Sequence, residues 1–261
     1  MKSAIHNLQS KFNNDGVSDI VGYMIIMAII LVALSVVYAA VFPVLYDSQN
    51  TNYVRNIEQS FKVLGFNINR IVSGGAPSQS IEIKLRGGTI STGSDSRLVL
   101  DFTNVSGGPQ EESYSLLTVE HYFDGQYIAY EGGGIWSRYM GVGSMPLTSI
   151  YPSIIIGNVS VVPVGVSVGT QMSGGGQGMA RVEVSGVSSD IEAYLNASRI
   201  YINVTSDYCS GWEVYFRDKL GLSLTGGTAG NCTNDWVNAS FRSGNTTLFV
   251  VKRGLETRVR A

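Results

Sequence analysis

Residues 20–46 read IVGYMIIMAIILVALSVVYAAVFPVLY, a run of 27 positions without a charged side chain. A helix needs about 20 consecutive apolar residues to cross a lipid bilayer, so this run is long enough to span one. Asp19 and Asp47 flank it at its two ends. The sequence therefore predicts a single transmembrane helix from Ile20 to Tyr46, with most of the chain on one side of a membrane.

The charges before the span predict its orientation. Lys2 and Lys11 are the positive residues that precede it, and positive residues close to a first span favour the cytoplasmic side. We therefore expect a cytoplasmic N-terminus and an extracellular C-terminal part. The location that follows is a single-pass protein of the cell membrane, or an extracellular filament.

Three interpretations of the N-terminus are open. The span is an uncleaved signal anchor, or it is a secretory signal cut near residues 37–39, although its length exceeds the usual 7–15 apolar residues. In the third interpretation, cleavage after Gly16 leaves the apolar helix on a mature chain that begins at Val17.

The third arrangement resembles the class III signal peptides of type IV pilins and archaellins. The matching features are a short lysine-bearing leader over residues 1–16, Gly16 before the cut, and Ser18 and Asp19 before the apolar run. Val21 stands where bacterial pilins usually carry glutamate, which makes the archaeal branch the better match. The segments VSDIVGYMIIM, SGGAPSQSIEIKLRGG and YIAYEGGGIW extend the resemblance to archaeal membrane-anchored pilin-like proteins of unknown function. The resemblance implies a β-rich ectodomain. If the leader is cleaved, it also implies a prepilin-type peptidase and an assembly machinery as partners.

A helical period continues beyond the span. Apolar residues recur at steps of three or four, at Val54, Ile57, Phe61, Leu64, Ile68 and Ile71. A stop signal follows in Ser73-Gly74-Gly75 and Pro77. We therefore expect one long helix over residues 17–73, starting at about Ser18. Its apolar seam is predicted to pack either on the chain's own β-domain or on the same helix of another subunit.

Residues 78–255 predict an extracellular β-rich domain, and residues 256–261 are assigned to a tail. Short alternating runs are separated by turn signals, and Asp124-Gly125 between two such runs is typical of a hairpin. The spacing favours a mainly antiparallel β-sandwich-like domain. One short helix is predicted over residues 206–220, with Asp207 as its cap and Trp212 on its inner face. The fold class is therefore α+β.

Cysteines and glycosylation sequons both fit an exported domain. Cys209 and Cys232 are the two cysteines, and an even count in an exported chain favours a disulfide, with two reduced buried thiols as the alternative. Seven N-x-[ST] sequons lie beyond the span, so some of their asparagines are candidates for N-glycosylation. They are Asn104, Asn158, Asn196, Asn203, Asn231, Asn238 and Asn245.

The composition argues against catalysis, cofactors and nucleic acid. Charged residues make up 15% of the chain and the net charge is −2, with no basic stripe that would bind nucleic acid. Histidine occurs as His6 and His121, and His121 is predicted to be a strand residue without local orientation by a carboxylate. Glu111-Glu112 is predicted to be a solvated turn. We expect no catalytic, cofactor-binding or metal-binding residues and no enzyme activity.

Two functions are compatible with these features. The first is a pilin-like structural protein of the cell surface, a subunit or minor component of a type IV pilus-like filament that acts in assembly or adhesion. Its partners are expected to be the membrane and either copies of itself or other pilin-like subunits, through the N-terminal helix. The second is a monomeric, single-pass membrane-anchored extracellular binding module.

Overall fold

The structure is a computed structural model that describes residues 2–104, 108–140, 144–147, 150–224, 232, 235–242 and 245–261. Side chains are described from residue 19 onwards, except those of residues 241 and 242. The chain divides into two compact units, which meet in sequence between Arg55 and Asn56.

The first unit is the N-terminal part of helix α1, which runs from Lys2 to Val72. The helix begins near the start of the chain rather than at about Ser18, and it also runs through Pro43. Gly16 costs a helix only about 1 kcal/mol relative to alanine, so one glycine does not interrupt it. From Asp19 the helix is long and apolar enough to cross a membrane, and none of its most apolar window is buried in the protein.

The second unit begins with the last turns of α1. Ile57, Phe61, Leu64, Ile68 and Ile71 are each at most 2% exposed. The helix ends at Val72 beside the predicted stop signal, where Gly74 takes a positive φ of 76°. From Ile57 onwards the apolar seam therefore packs on the chain's own β-rich unit, which confirms the first of the two alternatives.

The rest of the second unit is β-rich, with one short helix. The strands are β1 (Ser78–Lys84), β2 (Thr89–Gly93), β3 (Arg97–Asn104), β4 (Gly108–Ser115), β5 (Thr118–Phe123), β6 (Gln126–Glu131), β7 (Gly134–Tyr139), β8 (Met145–Pro146), β9 (Val159–Ser167), β10 (Ser173–Gly175), β11 (Met179–Thr205), β12 (Ser223–Leu224), β13 (Trp236–Arg242) and β14 (Thr246–Arg260). Helix α2 (Cys209–Val214) continues into a π-helical turn (Tyr215–Lys219).

The strands form two sheets. The larger contains β12, β13, β11, β14 and β9 in that order, with β1 and β3 also paired to β11 and β4 paired to β3. The smaller has the order β10-β2-β5-β6-β7-β8. The named strand pairs are antiparallel except β14–β9, which is parallel. The α+β class is confirmed, and the predicted tail is wrong, because β14 continues the sheet through Arg260.

Some local predictions in this unit hold and others are wrong. The Asp124-Gly125 hairpin joins β5 to β6, and both turn residues have positive φ, as a type I′ turn requires. The predicted helix is shorter than residues 206–220, and Trp212 is fully buried in it. Asp207 does not cap it. Glu111-Glu112 is not a turn but part of β4.

Candidate functional site

The two sides of the smaller sheet have different environments. On one side lies helix α1, where the Tyr130 hydroxyl donates to Asn69 Oδ1 at 3.0 Å and Asn69 Nδ2 donates to the Gly133 carbonyl at 2.9 Å. His121 lies on this side, 6.5 Å from the Phe61 ring, and burial lowers its pKa to about 4. The opposite side of the sheet carries the charged residues of β5, β6 and β7, and these form the candidate site.

Glu131, at the end of β6, is a fully buried carboxylate. Ser206 Oγ and Trp212 Nε1 donate to its Oε1 atom at 2.6 and 2.8 Å. Ser96 Oγ and Thr118 Oγ1 donate to its Oε2 atom at 2.5 and 3.2 Å. One side chain therefore joins four separate segments, namely the β2–β3 connection, β5, the end of β11 and helix α2.

The surroundings of Glu131 act on its protonation in opposite directions. Burial is the largest effect and raises the pKa of the Glu131 carboxyl, whereas the four donated hydrogen bonds oppose that shift. The net direction is upward. The segment YIAYEGGG contains a signal from which this residue could have been predicted. Side chains alternate along a strand, so Glu131 lies on the same side of β6 as buried Ala129.

A second group of charged residues lies beside Glu131. The Tyr208 hydroxyl donates to Glu120 Oε2, and Arg138 Nη2 lies 3.0 Å from Asp207 Oδ2 and 3.7 Å from Glu120 Oε2. The Arg138 guanidinium also lies 4.3 Å from the centre of the Tyr127 ring. Burial raises the pKa of the Glu120 carboxyl, against the opposing effects of Tyr208 and Arg138.

Glu131, Glu120, Asp207 and Tyr208 line a cavity of about 360 Å³. Its size lies within the range of small-molecule sites. Within the described part of the chain, no lysine or arginine lines it, so hydrogen-bond acceptors and negative charge dominate. The lining residues are Ser91, Thr92, Gly93, Asp95, Ser96, Thr118, Glu120, Glu131, Gln171, Thr205, Ser206, Asp207, Tyr208 and Asp235. The chemistry suits a small ligand with hydroxyl or ammonium groups.

A disulfide lies at the rim of this cavity. Cys209, at the start of helix α2, is joined to Cys232, with 5.7 Å between their Cα atoms. The carbonyl of Cys232 accepts a hydrogen bond from the amide of Asp235, which lines the cavity. The bond therefore holds helix α2 to the segment that carries Asp235.

Of the residues singled out in the sequence, Asp207 lines this cavity, and Cys209 and Cys232 form the disulfide at its rim. Gly16 and Val17 belong to helix α1 but precede the side chains that the structure describes, and Ile20 and Tyr46 are exposed on the same helix. No group of three or more potential metal ligands occurs in the described residues. Sequence reasoning missed Glu131, Glu120 and Arg138.

The sequons fall into two sets by exposure. Asn158, Asn196 and Asn245 are exposed, whereas Asn104, Asn203 and Asn238 are half-buried. Asn231 lies outside the described residues.

Comparison with known proteins places the chain in a family. A model described as a family of unknown function, DUF7289, matches residues 16–258. The chain belongs to DUF7289. The family match covers both the apolar helix and the β-rich unit, so both are features of this DUF7289 member.

Two relatives come from Archaeoglobus fulgidus, and both are uncharacterized proteins. The first is 36% identical over 89 residues, which are 34% of this chain and 29% of the relative. The chain therefore matches less than a third of that relative's length. The second is 23% identical over 231 residues, which are 80% of this chain and 83% of the relative. No solved structure matches.

Proposed function

We propose that this DUF7289 member is a pilin-like structural protein of the cell surface. It acts as a subunit or minor component of a type IV pilus-like filament, in assembly or adhesion. Helix α1 holds it in the membrane with its N-terminus in the cytoplasm and its β-rich unit outside. A prepilin-type peptidase removes residues 1–16, and the mature chain begins at Val17.

The observation that carries this proposal is the unequal use of helix α1. The seam from Ile57 to Ile71 is buried under the chain's own β-rich unit and is not available to another subunit. The apolar side chains from Ile20 to Tyr46 are exposed, which leaves them for lipid or for other helices. Gly22 lies within this stretch, and small residues let two helices approach closely.

The test is the mature N-terminus together with the polymer state. We expect intact mass and N-terminal peptide sequencing of the chain from native membranes to give a start at Val17, and sheared cell-surface material to contain the chain in a sedimentable polymer. Gly16→Val should retain the leader and remove the polymer, while the leader control Ser3→Ala should change neither. A chain that keeps its leader would leave a plain signal anchor, and a start near Ala40 would make this a secreted protein.

The cavity around Glu131 favours a second candidate, a monomeric membrane-anchored extracellular binding module. Carboxylates and hydroxyls line the cavity, and a ligand with hydroxyls and an ammonium group complements both. In this alternative, helix α1 is an anchor only, and the β-rich unit does the work by itself.

A matched pair of sugars tests the second candidate. Glucosamine carries an ammonium group that glucose lacks, and the two are otherwise alike. If the cavity binds such ligands, glucosamine should raise the melting temperature of the chain in detergent micelles and glucose should raise it less. Asp235→Asn, which removes an exposed charge at the rim, should reduce the difference. Equal and negligible effects of both sugars would contradict this ligand class.

A further inference from the structure

We infer that Asn158, Asn196 and Asn245 carry N-linked oligosaccharides, and that these oligosaccharides cover an apolar face of the larger sheet. The inference rests on the proposed function in one respect, because the β-rich unit must lie outside the cell to be glycosylated. The residue set and the role of the glycans come from the geometry of strands β9, β14 and β11.

The apolar face lies on three neighbouring strands. The register pairs Ile191 of β11 with Val251 of β14, and Phe249 of β14 with Val161 of β9. Because side chains alternate along a strand, these four residues lie on the side of the sheet opposite to the buried residues Leu248 and Val250. Ile191 is 62% exposed, and at one end of the face Leu195 is 66% and Val159 is 52% exposed. The other three, Val161, Phe249 and Val251, are half-buried.

Such a face is a hazard in water. Exposed apolar surface promotes association between molecules. Strand β9 adds to this tendency because it is the last strand in the order of the larger sheet, and an edge strand can pair with another molecule. Among the residues that the structure describes, β9 pairs beyond β14 only through the isolated bridges with Leu116 and Ile155. Ile155, which forms one of these two bridges, is itself apolar and exposed. The face therefore needs a cover that keeps separate molecules apart.

The three exposed sequons stand at one end of this face. Asn158 directly precedes β9 and Asn245 directly precedes β14, and the Asn158 carbonyl accepts hydrogen bonds from Thr246 Oγ1 at 2.9 Å and from the Thr247 amide at 3.2 Å. Asn196 lies at a register irregularity of β11 with a positive φ of 54°, beside the pairing of Ala197 with Thr246. Three adjacent strands span about 10 Å, so three glycans here would lie side by side.

The half-buried sequons are poor sites by comparison. Asn203, near the end of β11, and Asn238 of β13 are directly paired residues, so two glycans there would crowd each other. The Oδ1 atom of Asn203 is also buried. Asn158 and Asn245, which precede β9 and β14, and Asn196 within β11 are therefore better sites than these two residues.

The modification is a glycosyl transfer from a lipid-linked oligosaccharide phosphate. A bond forms between the asparagine Nδ2 atom and C1 of the first sugar, the bond between C1 and the phosphate oxygen breaks, and the lipid phosphate leaves with the electron pair. The amide loses one proton to a base. Ser160, the third residue of the Asn158 sequon, is fully buried in the folded unit, so transfer at Asn158 precedes folding. The folded geometry then selects the trio of Asn158, Asn196 and Asn245 because glycans at these exposed positions leave the strands free to pair, whereas glycans at Asn203 and Asn238 do not.

The first experiment maps the glycans on the full chain. It is purified from membranes of an archaeal host that N-glycosylates, and glycopeptides are identified by mass spectrometry. We expect occupancy at Asn158, Asn196 and Asn245 and none at Asn203 and Asn238. Occupancy at Asn203 and Asn238 in place of the trio overturns the inference.

A protease added to intact cells separates this inference from the proposed location. If the protease cleaves the β-rich unit while the trio is unmodified, the inference is overturned and the external location stands. If the protease does not reach the unit and no glycan is present, both are overturned.

A second pair of variants tests the role of the glycans as a cover. The triple variant N158Q/N196Q/N245Q should show a several-fold larger aggregated fraction in detergent micelles, measured by sedimentation velocity. Adding Ile191→Thr and Leu195→Thr should return the aggregated fraction toward that of the natural chain. The covering role is overturned if the triple variant stays as dispersed as the natural chain, or if the two threonines change nothing.

Discussion

Replacing Phe61 by alanine tests whether the β-rich unit depends on the last turns of helix α1. Phe61 is fully buried and lies 6.5 Å from the His121 ring of the smaller sheet. Truncation of a buried phenylalanine costs about 3–5 kcal/mol. A domain of this size loses about 2–4 °C of melting temperature per kcal/mol, so the expected loss is about 6–20 °C.

Phe66 provides a matched control on the same helix. It is 64% exposed, and its change to alanine brings the same small gain in helix propensity as the change at Phe61. Thermal unfolding of the full chain in detergent micelles, followed by the fluorescence of buried Trp136 and Trp212, gives both melting temperatures. Phe66→Ala should shift the transition by less than about 2 °C, since surface substitutions stay within about 0.5 kcal/mol. Equal shifts for the two variants, or a larger one for Phe66→Ala, would refute the packing described for the seam.

Three further predictions concern the β-rich unit. Burial raises the pKa of the Glu131 carboxyl in the folded chain above its ordinary value of 4.5. The stabilisation that results from this shift is therefore complete below pH 4.5 and is lost as pH rises towards the folded pKa. Glu131→Gln should therefore flatten the fall in stability above pH 4.5 in urea titrations at several pH values, and an unchanged slope would contradict the assignment. The disulfide closes a loop with a sequence separation of 23, and replacing Cys209 and Cys232 together by serine should cost about 3 kcal/mol in the same assay, whereas no loss would mean that the bond does not form. Gly65→Val should destabilise by about 1–3 kcal/mol, because a Cβ at this position falls 2.7 Å from Ile135 Cδ1, and Ile135→Ala in the same chain should recover part of the loss.

The parts of the fold that depend on local periodicity could be predicted from the sequence. The seam from Ile57 to Ile71 repeats with the period of a helix, so the spacing of its apolar residues alone indicates which face is buried. The Asp124-Gly125 hairpin was equally local, because the turn residues themselves require positive φ. The alternation of apolar residues likewise indicated a β-rich unit.

The candidate site could not be predicted, because its parts are distant in the chain. The four side chains that donate to Glu131 come from positions between Ser96 and Trp212, and no local pattern links them. The capping of helix α2 was misjudged for a related reason. The Ser206 hydroxyl accepts from the amide of Tyr208 and also donates to Glu131, whereas Asp207 pairs with Arg138.

Strand pairing over long distances explains the remaining errors. The residues after Leu255 look like a polar tail in the sequence, but they pair with the start of β11, about 70 or more residues earlier in the chain. Glu111 and Glu112 follow a glycine-rich turn signal, yet β4 forms there because β3 provides a partner along its whole length. Neither partner is recognisable from the segment itself.

The place of β14 in the larger sheet sets the order of events during synthesis. β14 lies between β11 and β9, and every other strand of that sheet precedes it in the chain. Until residues 246–260 emerge from the ribosome, the strand that pairs with both β9 and β11 is missing. The pairs that β14 forms with these two strands join residues far apart in the sequence. A growing chain has therefore completed its long apolar helix well before its β-rich unit can close, and quality control has a wide interval in which to recognise an unfinished chain.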